Sequence, residues 1–505
     1  MFAYSSNSEK SHTSQYHLDR QAKTESNART YPRRLPLAIA SAQGLFIKDV
    51  DGATYMDCLC GAGTLALGHN HPVVIEAIRK HLDAGYPLHT LDLTTPVKDE
   101  FVHALFDTLP PELGRGRIQF CSPSGADAVE AAIKLVKTAT GRQAIMAFSG
   151  GYHGQTHGTL ALMGNSGPKV PGLMPDVHFQ PFPYAYRCPM GKRDCGDCRC
   201  ADHTEHQLKD PESGLPSPAG MILEAVQGEG GSVPANREWL QQIRRVSSEL
   251  GIPLIVDEVQ TGWGRTGTLY AFEQANIVPD VLVLSKAIGG GLPLAVVVYR
   301  ASLDKWQPGA HAGTFRGNQL AMAAGLATLR FIQEHDVCSH VQLMSMLFQM
   351  RLGELARMYQ SIGEVRGRGL MLGIEIVNPE SRDFLGRPLG DRTLALRVQA
   401  ECFRRGLMVE LGGRHGAVVR LLPPLIITAE QVDAVCAILA DSFQAASRSA
   451  GPHPSIDARI SPSKARINPS EARMNPSEAR LNDEARTTDP SAILCAGAEA
   501  VAEHV

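Results

Sequence analysis

No apolar run in the 505-residue sequence is long enough for a helix to cross a bilayer, so a helical membrane span is excluded. An excess of charge of one sign is also missing. The 49 Lys and Arg nearly balance the 52 Asp and Glu, leaving a net charge of −3. That balance gives no reason to expect nucleic acid or a membrane surface as a partner. The first thirty residues are polar and lack the apolar segment of a secretory signal, so a cytoplasmic location is expected. Glu9, Asp19 and Glu25 are the only acids there, which keeps an organelle-targeting segment as a second reading. What the chain does have is 43% apolar residues, enough over this length for more than one core and hence two domains plus extras.

Two strand-like apolar runs end on a charged residue. Leu282-Val283-Leu284-Ser285 leads to Lys286, and a flexible turn, Gly289-Gly290-Gly291, follows closely. A lysine at the end of a buried strand is costly unless paired or used, one use being an amine nucleophile of lowered pKa. The bland alternative is a solvated lysine. Thirty residues upstream, Leu254-Ile255-Val256 ends on Asp257. In an open α/β sheet, ligands sit beyond the carboxyl ends of the strands, so Asp257 and Lys286 should face one crevice. An Asp beside a pyridine nitrogen and a Lys imine are the pair that pyridoxal phosphate chemistry needs, although an Asp after a strand is more often a helix cap.

A third element is an anion site. Ser124-Gly125-Ala126 precedes an amphipathic helix running from Ala128 to about Thr140, with Glu130 and Lys134 spaced to pair and Gly141 at its end. Gly150-Gly151-Tyr152-His153-Gly154 sets an aromatic ring among glycines, suited to stacking on a planar cofactor or to a packed turn.

With these residues the chain resembles the class III, or omega, aminotransferases of pyridoxal phosphate fold type I. The matching segments are SGADAVEAAIKL (124–135), GGYHG (150–154), EAVQGEGG (224–231), LIVDEVQTGWGRTG (254–267), VLSKAIGGGLPL (283–294), GTFRGNQLA (313–321) and VVRLLPPLIIT (418–428). They run in the family's order over roughly residues 35–445. The resemblance implies an α/β large domain with a mostly parallel sheet flanked by helices, and a smaller α+β domain. It makes Lys286 the Schiff-base lysine, Asp257 the pyridine-nitrogen partner and Gln260 a donor to the ring hydroxyl. Ser124, Gly125, Ala126, Tyr152 and His153 complete the cofactor site, with Thr314 reaching the phosphate of the other subunit in a homodimer. Arg420 would clamp the carboxylate of glutamate or 2-oxoglutarate, and Glu229 would neutralise Arg420 when an amine without a nearby carboxylate binds. No metal is implied.

Within the family, CLCGAGTLALGHNHP (58–72), HTLDLTTPVKDEF (89–101) and PFPYAYRCP (181–189) resemble the branch that acts on L-2,4-diaminobutyrate and 2-oxoglutarate. Members that use ornithine carry an aromatic hydroxyl in the loop that here reads Gly61-Ala62-Gly63-Thr64, which counts against ornithine. Ornithine, 4-aminobutyrate or another diamine remains the alternative donor. An aminomutase or decarboxylase on the same fold, or a catalytically dead binding protein, are the rival classes. Arg420 with Glu229 argues against the first, and intact Lys286 and Asp257 against the second.

The expected organisation is a flexible segment at 1–30, small-domain residues at 31–85, a large cofactor-binding domain at 86–329, the rest of the small domain at 330–446 and a tail at 447–505. The tail holds the repeat ARISPSK, ARINPSE, ARMNPSE, ARLNDE (458–484), whose prolines argue against a coiled coil. Residues 188–217 read as a polar insertion loop bearing Cys188, Cys195, Cys198, Cys200, His203 and His206. A structural metal, a reduced exposed loop and a redox pair are all open for this cluster, and the reduced loop is the expectation.

Overall fold

The structure is a computed structural model that describes residues 13–165, 167–190 and 199–448. Its centre is a seven-stranded sheet in the spatial order Arg117–Phe120, Val296–Tyr299, Val281–Leu284, Leu254–Asp257, Gly220–Leu223, Ile145–Phe148, Val177–Gln180. Val296–Tyr299 runs antiparallel to both neighbours, while the other pairings are parallel. The near-continuous apolar runs follow from burial on both faces. Ile255, Val281 and Val283 enter the core shared with the helix Gly125–Thr140, whereas Leu254, Val256, Leu282 and Leu284 enter the larger core on the other face. Each such side chain contributes about 1.5–3 kcal/mol by leaving water.

Two smaller sheets flank this layer. Ile39–Gln43, Phe46–Asp49 and Thr54–Asp57 form an antiparallel meander, and Leu407–Met408 joins it in parallel. The second is antiparallel, in the order Ile362–Arg368, Met371–Arg382, Val418–Leu421, Glu410–Gly412. Residues from both ends of the chain thus build one region beside the large sheet.

Four local expectations need correction. Within the segment expected to be flexible, Ser14–Thr24 is a helix. It has no apolar stripe to announce it. Instead the Thr13 hydroxyl caps it at Tyr16 N, and Ser14 is docked through its N–H to Asp51 and its hydroxyl to Ala38 N. The insertion is not wholly loop, since Arg199–Lys209 is a helix packed on Arg237–Glu249. Cys188 and Cys200 are buried, while His203 and His206 are exposed; Cys195 and Cys198 lie outside the described residues, as do the C-terminal repeats. Finally, Glu130 and Lys134 do not pair. Glu130 accepts hydrogen bonds from the N–H groups of Gly158 and Thr159, and Lys134 reaches Ala310 O and His311. At the other end, the last helix, Ala429–Arg448, runs two residues beyond the expected start of the tail.

A buried ionic cluster ties the start of the insertion to the antiparallel sheet. Glu375 accepts from the Tyr184 hydroxyl and from Arg187 Nε (2.5 Å), and pairs with Arg366 at 2.7 Å. Burial would push this carboxyl up, but Arg366 and Arg187 outweigh it and hold the carboxyl below its ordinary range. Arg366 Nε also donates to Gly231 O at 2.8 Å, two residues from Glu229.

Candidate active site

Neighbouring strands of the large sheet end on functional side chains, as the rule for open α/β sheets anticipates. Glu224 follows Gly220–Leu223, Asp257 ends Leu254–Asp257, and Lys286 follows Val281–Leu284 and Ser285. All three line one cavity of about 440 Å³. Strict alternation would send Lys286 to the face taken by Leu282 and Leu284. A left-handed backbone (φ 51°) at Lys286 ends the alternation and turns it into the cavity. Close behind, Gly290 is also left-handed, and a side chain there would strike Ala324 O at 2.7 Å. Burial pushes the Lys286 amine below its ordinary pKa; Glu229 and Asp257 oppose this and Arg420 adds to it.

Asp257 is buried, accepts from Val259 N at 3.0 Å, and contacts His153 Nδ1 through its other oxygen at 2.8 Å. Burial would lower the pKa of His153, but its hydrogen bond to Asp257 and the charges of Asp257 and Glu224 raise it overall. Glu224 accepts from Tyr152 N and Gly228 N, both at 2.9 Å. Its burial raises the carboxyl to about 7, with His153 pulling down and Asp257 pushing up. The backbone that carries the half-buried Tyr152 ring is therefore anchored to Glu224.

Also lining the cavity, Ser124 caps the helix Gly125–Thr140 by accepting from Ala126 N at 3.2 Å. Glycine is required at 125, because a side chain would meet Val259 Cγ1 at 2.9 Å. The helix start offers backbone N–H groups and the positive end of the dipole, the usual means of holding a phosphate.

Arg420 is fully buried on Val418–Leu421. It donates to Glu229 Oε1 at 2.7 Å and to Gln260 Oε1 at 3.0 Å. Burial favours its neutral form, but Glu229 and Glu410 raise its pKa overall. Glu229 itself is held low by Arg420 against the upward push of burial. Gln260 donates its amide to Ala62 O at 3.0 Å, in the small-residue loop. Glycine at 228 leaves room for Gln260, which a side chain there would overlap.

Thr314 does not line this cavity. It sits on an exposed turn, its carbonyl held by His89 Nε2 at 2.8 Å, next to the exposed Phe315. The remaining residues singled out in the sequence converge. Sequence reasoning passed over Glu224, although it ends a strand just as Asp257 does. It also passed over Tyr31 and over Glu410, whose place opposite Arg420 depends on a strand pairing that no local pattern reveals.

A family model described as aminotransferase class III matches residues 28–443, and the chain belongs to that family. It is a transaminase of the pyridoxal-phosphate-dependent class, as its motifs imply. Among curated relatives, the diaminobutyrate–2-oxoglutarate aminotransferase of Rhizobium meliloti (strain 1021) is 57% identical over 440 residues, covering 86% of this chain and 94% of its own. The Haemophilus influenzae protein of the same name is 52% identical over 414 residues, covering 81% and 91%. Among solved structures, a PLP-bound amine transaminase from an uncultivated Pseudomonas species matches with a TM-score of 0.74. It is 27% identical, over 84% of this chain and 98% of that one. The ornithine aminotransferase of Toxoplasma gondii shares the fold, with a TM-score of 0.74 at 24% identity, covering 87% and 96%.

Proposed function

We propose that the cavity holds pyridoxal phosphate and that the chain moves the terminal amino group between L-2,4-diaminobutyrate and 2-oxoglutarate, giving aspartate 4-semialdehyde and L-glutamate, in either direction. The observation that carries this reading is one cavity lined by an amine of lowered pKa, a buried carboxylate and a capped helix N-terminus, with Arg420 paired to Glu229 beside it. The donor set fits the cofactor. Ser124, Gly125 and Ala126 suit its phosphate, Asp257 its ring nitrogen and Tyr152 its face, with His153 bound to Asp257. When bound, the cofactor carries the amino group between substrates and spreads the electron pair left at the reacting carbon.

The residues' own work follows from their placement. Asp257, fixed by His153, keeps a cation in front of it. Lys286, with its lowered pKa, takes and returns the proton at the reacting carbon. Glu229 neutralises Arg420 while the diamino acid is bound by its terminal amine. It swings aside when the 2-oxoglutarate carboxylate needs the guanidinium fork.

Arg420→Ala is therefore expected to damage the 2-oxoglutarate half-reaction alone, by about thirty- to a thousand-fold, the worth of a bidentate contact of roughly 2–4 kcal/mol. Single-turnover absorbance, taken for each half separately, measures it, and equal damage to both halves would refute the gate. A donor screen against 2-oxoglutarate decides the substrate. Should ornithine or 4-aminobutyrate exceed diaminobutyrate tenfold in kcat/KM, the diaminobutyrate assignment fails while the transaminase stands.

The working form is a cytoplasmic homodimer with shared sites. Supporting this, Thr314 is exposed and lies away from its own chain's cavity, as a residue serving a partner should. Mixing inactive Lys286→Ala and Thr314→Arg chains should restore activity in hybrids that keep one intact composite site. A fully active monomer in sedimentation at assay concentration overturns this.

A further inference from the structure

Next to Arg420 stands a second carboxylate that the gate does not use. Glu410 lies directly opposite Arg420 in the antiparallel pairing of Glu410–Gly412 with Val418–Leu421, so the two side chains share a face. On the other flank Arg420 opposes Gly373, which offers nothing. Glu410 is 8% exposed, and its Oε2 has no hydrogen-bond partner among the described residues. Arg420, its natural neutraliser, is already engaged by Glu229 and Gln260. Two carboxylates thus flank one guanidinium, and a buried carboxylate oxygen is left without a donor, an arrangement that folding alone disfavours. The Glu410 charge acts on both Lys286 and Arg420, which places it within the electrostatic reach of the reacting amine. The Tyr31 hydroxyl already hydrogen-bonds the Glu410 carboxylate, so the open position is Oε2.

We infer that Glu410, assisted by the Tyr31 hydroxyl, receives the α-ammonium of a diamino acid whose terminal amine is presented at Lys286. This rests on the diaminobutyrate reading above. The logic is hydrogen-bond and charge completion. Glu229 and Gln260 take the two terminal nitrogens of Arg420, so Glu410 feels that cation yet keeps an oxygen without a donor, and a substrate bearing an ammonium three carbons from its reacting nitrogen supplies the donor and a further positive charge. Burial, followed by the neighbouring Glu229, pushes the empty carboxyl up, while Arg420 only partly restores it. An arriving cation reverses that cost. The same device disfavours a donor such as 4-aminobutyrate, which has a terminal amine and a carboxylate but no α-ammonium, because it leaves Glu410 unpaired.

The test is Glu410→Gln, an isosteric change, with Tyr31→Phe as a milder second variant. The quantity read is the ratio of kcat/KM for diaminobutyrate to that for 4-aminobutyrate. Where 4-aminobutyrate does not turn over, the reciprocal of its inhibition constant takes the denominator's place. Losing a charged hydrogen bond should reduce this ratio by about ten- to a hundred-fold in Glu410→Gln, and by less in Tyr31→Phe. The 2-oxoglutarate half-reaction separates this role from a structural one. If Glu410 merely holds Arg420 in place, that half falls as much as the diaminobutyrate half, and the inference is overturned. A ratio within twofold of the parent enzyme overturns it as well. Should the parent enzyme itself prefer a donor without an α-ammonium, the substrate assignment has failed, and the inference falls with it for that independent reason.

Discussion

Lys286→Ala is expected to fold, to bind the cofactor and to transfer no amino group above the assay floor. Among the described residues Lys286 is the one lysine lining the cavity, and its left-handed backbone aims it there. Arg420, whose charge acts on Lys286, cannot replace it, since a guanidinium does not give up its proton. Visible absorbance of the bound cofactor should shift as its covalent link is lost, while the melting temperature holds or rises, because a buried amine has been removed. A variant that keeps both rate and spectrum would remove Lys286 from the chemistry.

The second large effect is expected at Asp257. Asp257→Asn keeps the shape and the bond from Val259 N, but a neutral amide no longer stabilises a cation in front of it. Rates should fall by about 10²–10⁴-fold, the scale seen when a buried aspartate that fixes an aromatic ring's protonation is neutralised. His153 should respond too. Without its anionic partner only burial and the more distant Glu224 act on it, so its pKa moves down. A histidine titration followed by NMR, alongside the half-reaction rates, tests both statements. Transamination at near-parental rate would show that Asp257 does not hold the ring nitrogen's proton.

Much of the site was legible because its residues mark changes of pattern. Leu254–Val256 and Leu282–Leu284 are apolar without alternation, as strands buried on both faces must be, so Asp257 and Lys286 stand out as the points where burial ends. Ser124-Gly125 was legible because helix starts have a restricted chemistry. What stayed hidden depends on distant pairing. His153 meets Asp257 across 104 residues, and Tyr184 and Arg187 meet Glu375 across 191 and 188. Glu410 looks like one more strand residue until the register sets it opposite Arg420. The helix Ser14–Thr24 escaped for a different reason, since a cap and two polar anchors order it without an apolar face.

The Glu375 cluster has an evolutionary consequence. Arg187 stands at the mouth of the insertion, Glu375 on the antiparallel sheet, and Arg366 links both to Gly231 beside the gate. Changing any one of them strands a buried charge, so single steps through sequence space are penalised while concerted replacement is not. Segments exchanged between relatives that span Tyr184, Arg187 and the insertion should therefore travel with their partners at 366 and 375. The insertion and the antiparallel sheet should then be inherited as a unit, though 188 residues separate Arg187 from Glu375 along the chain.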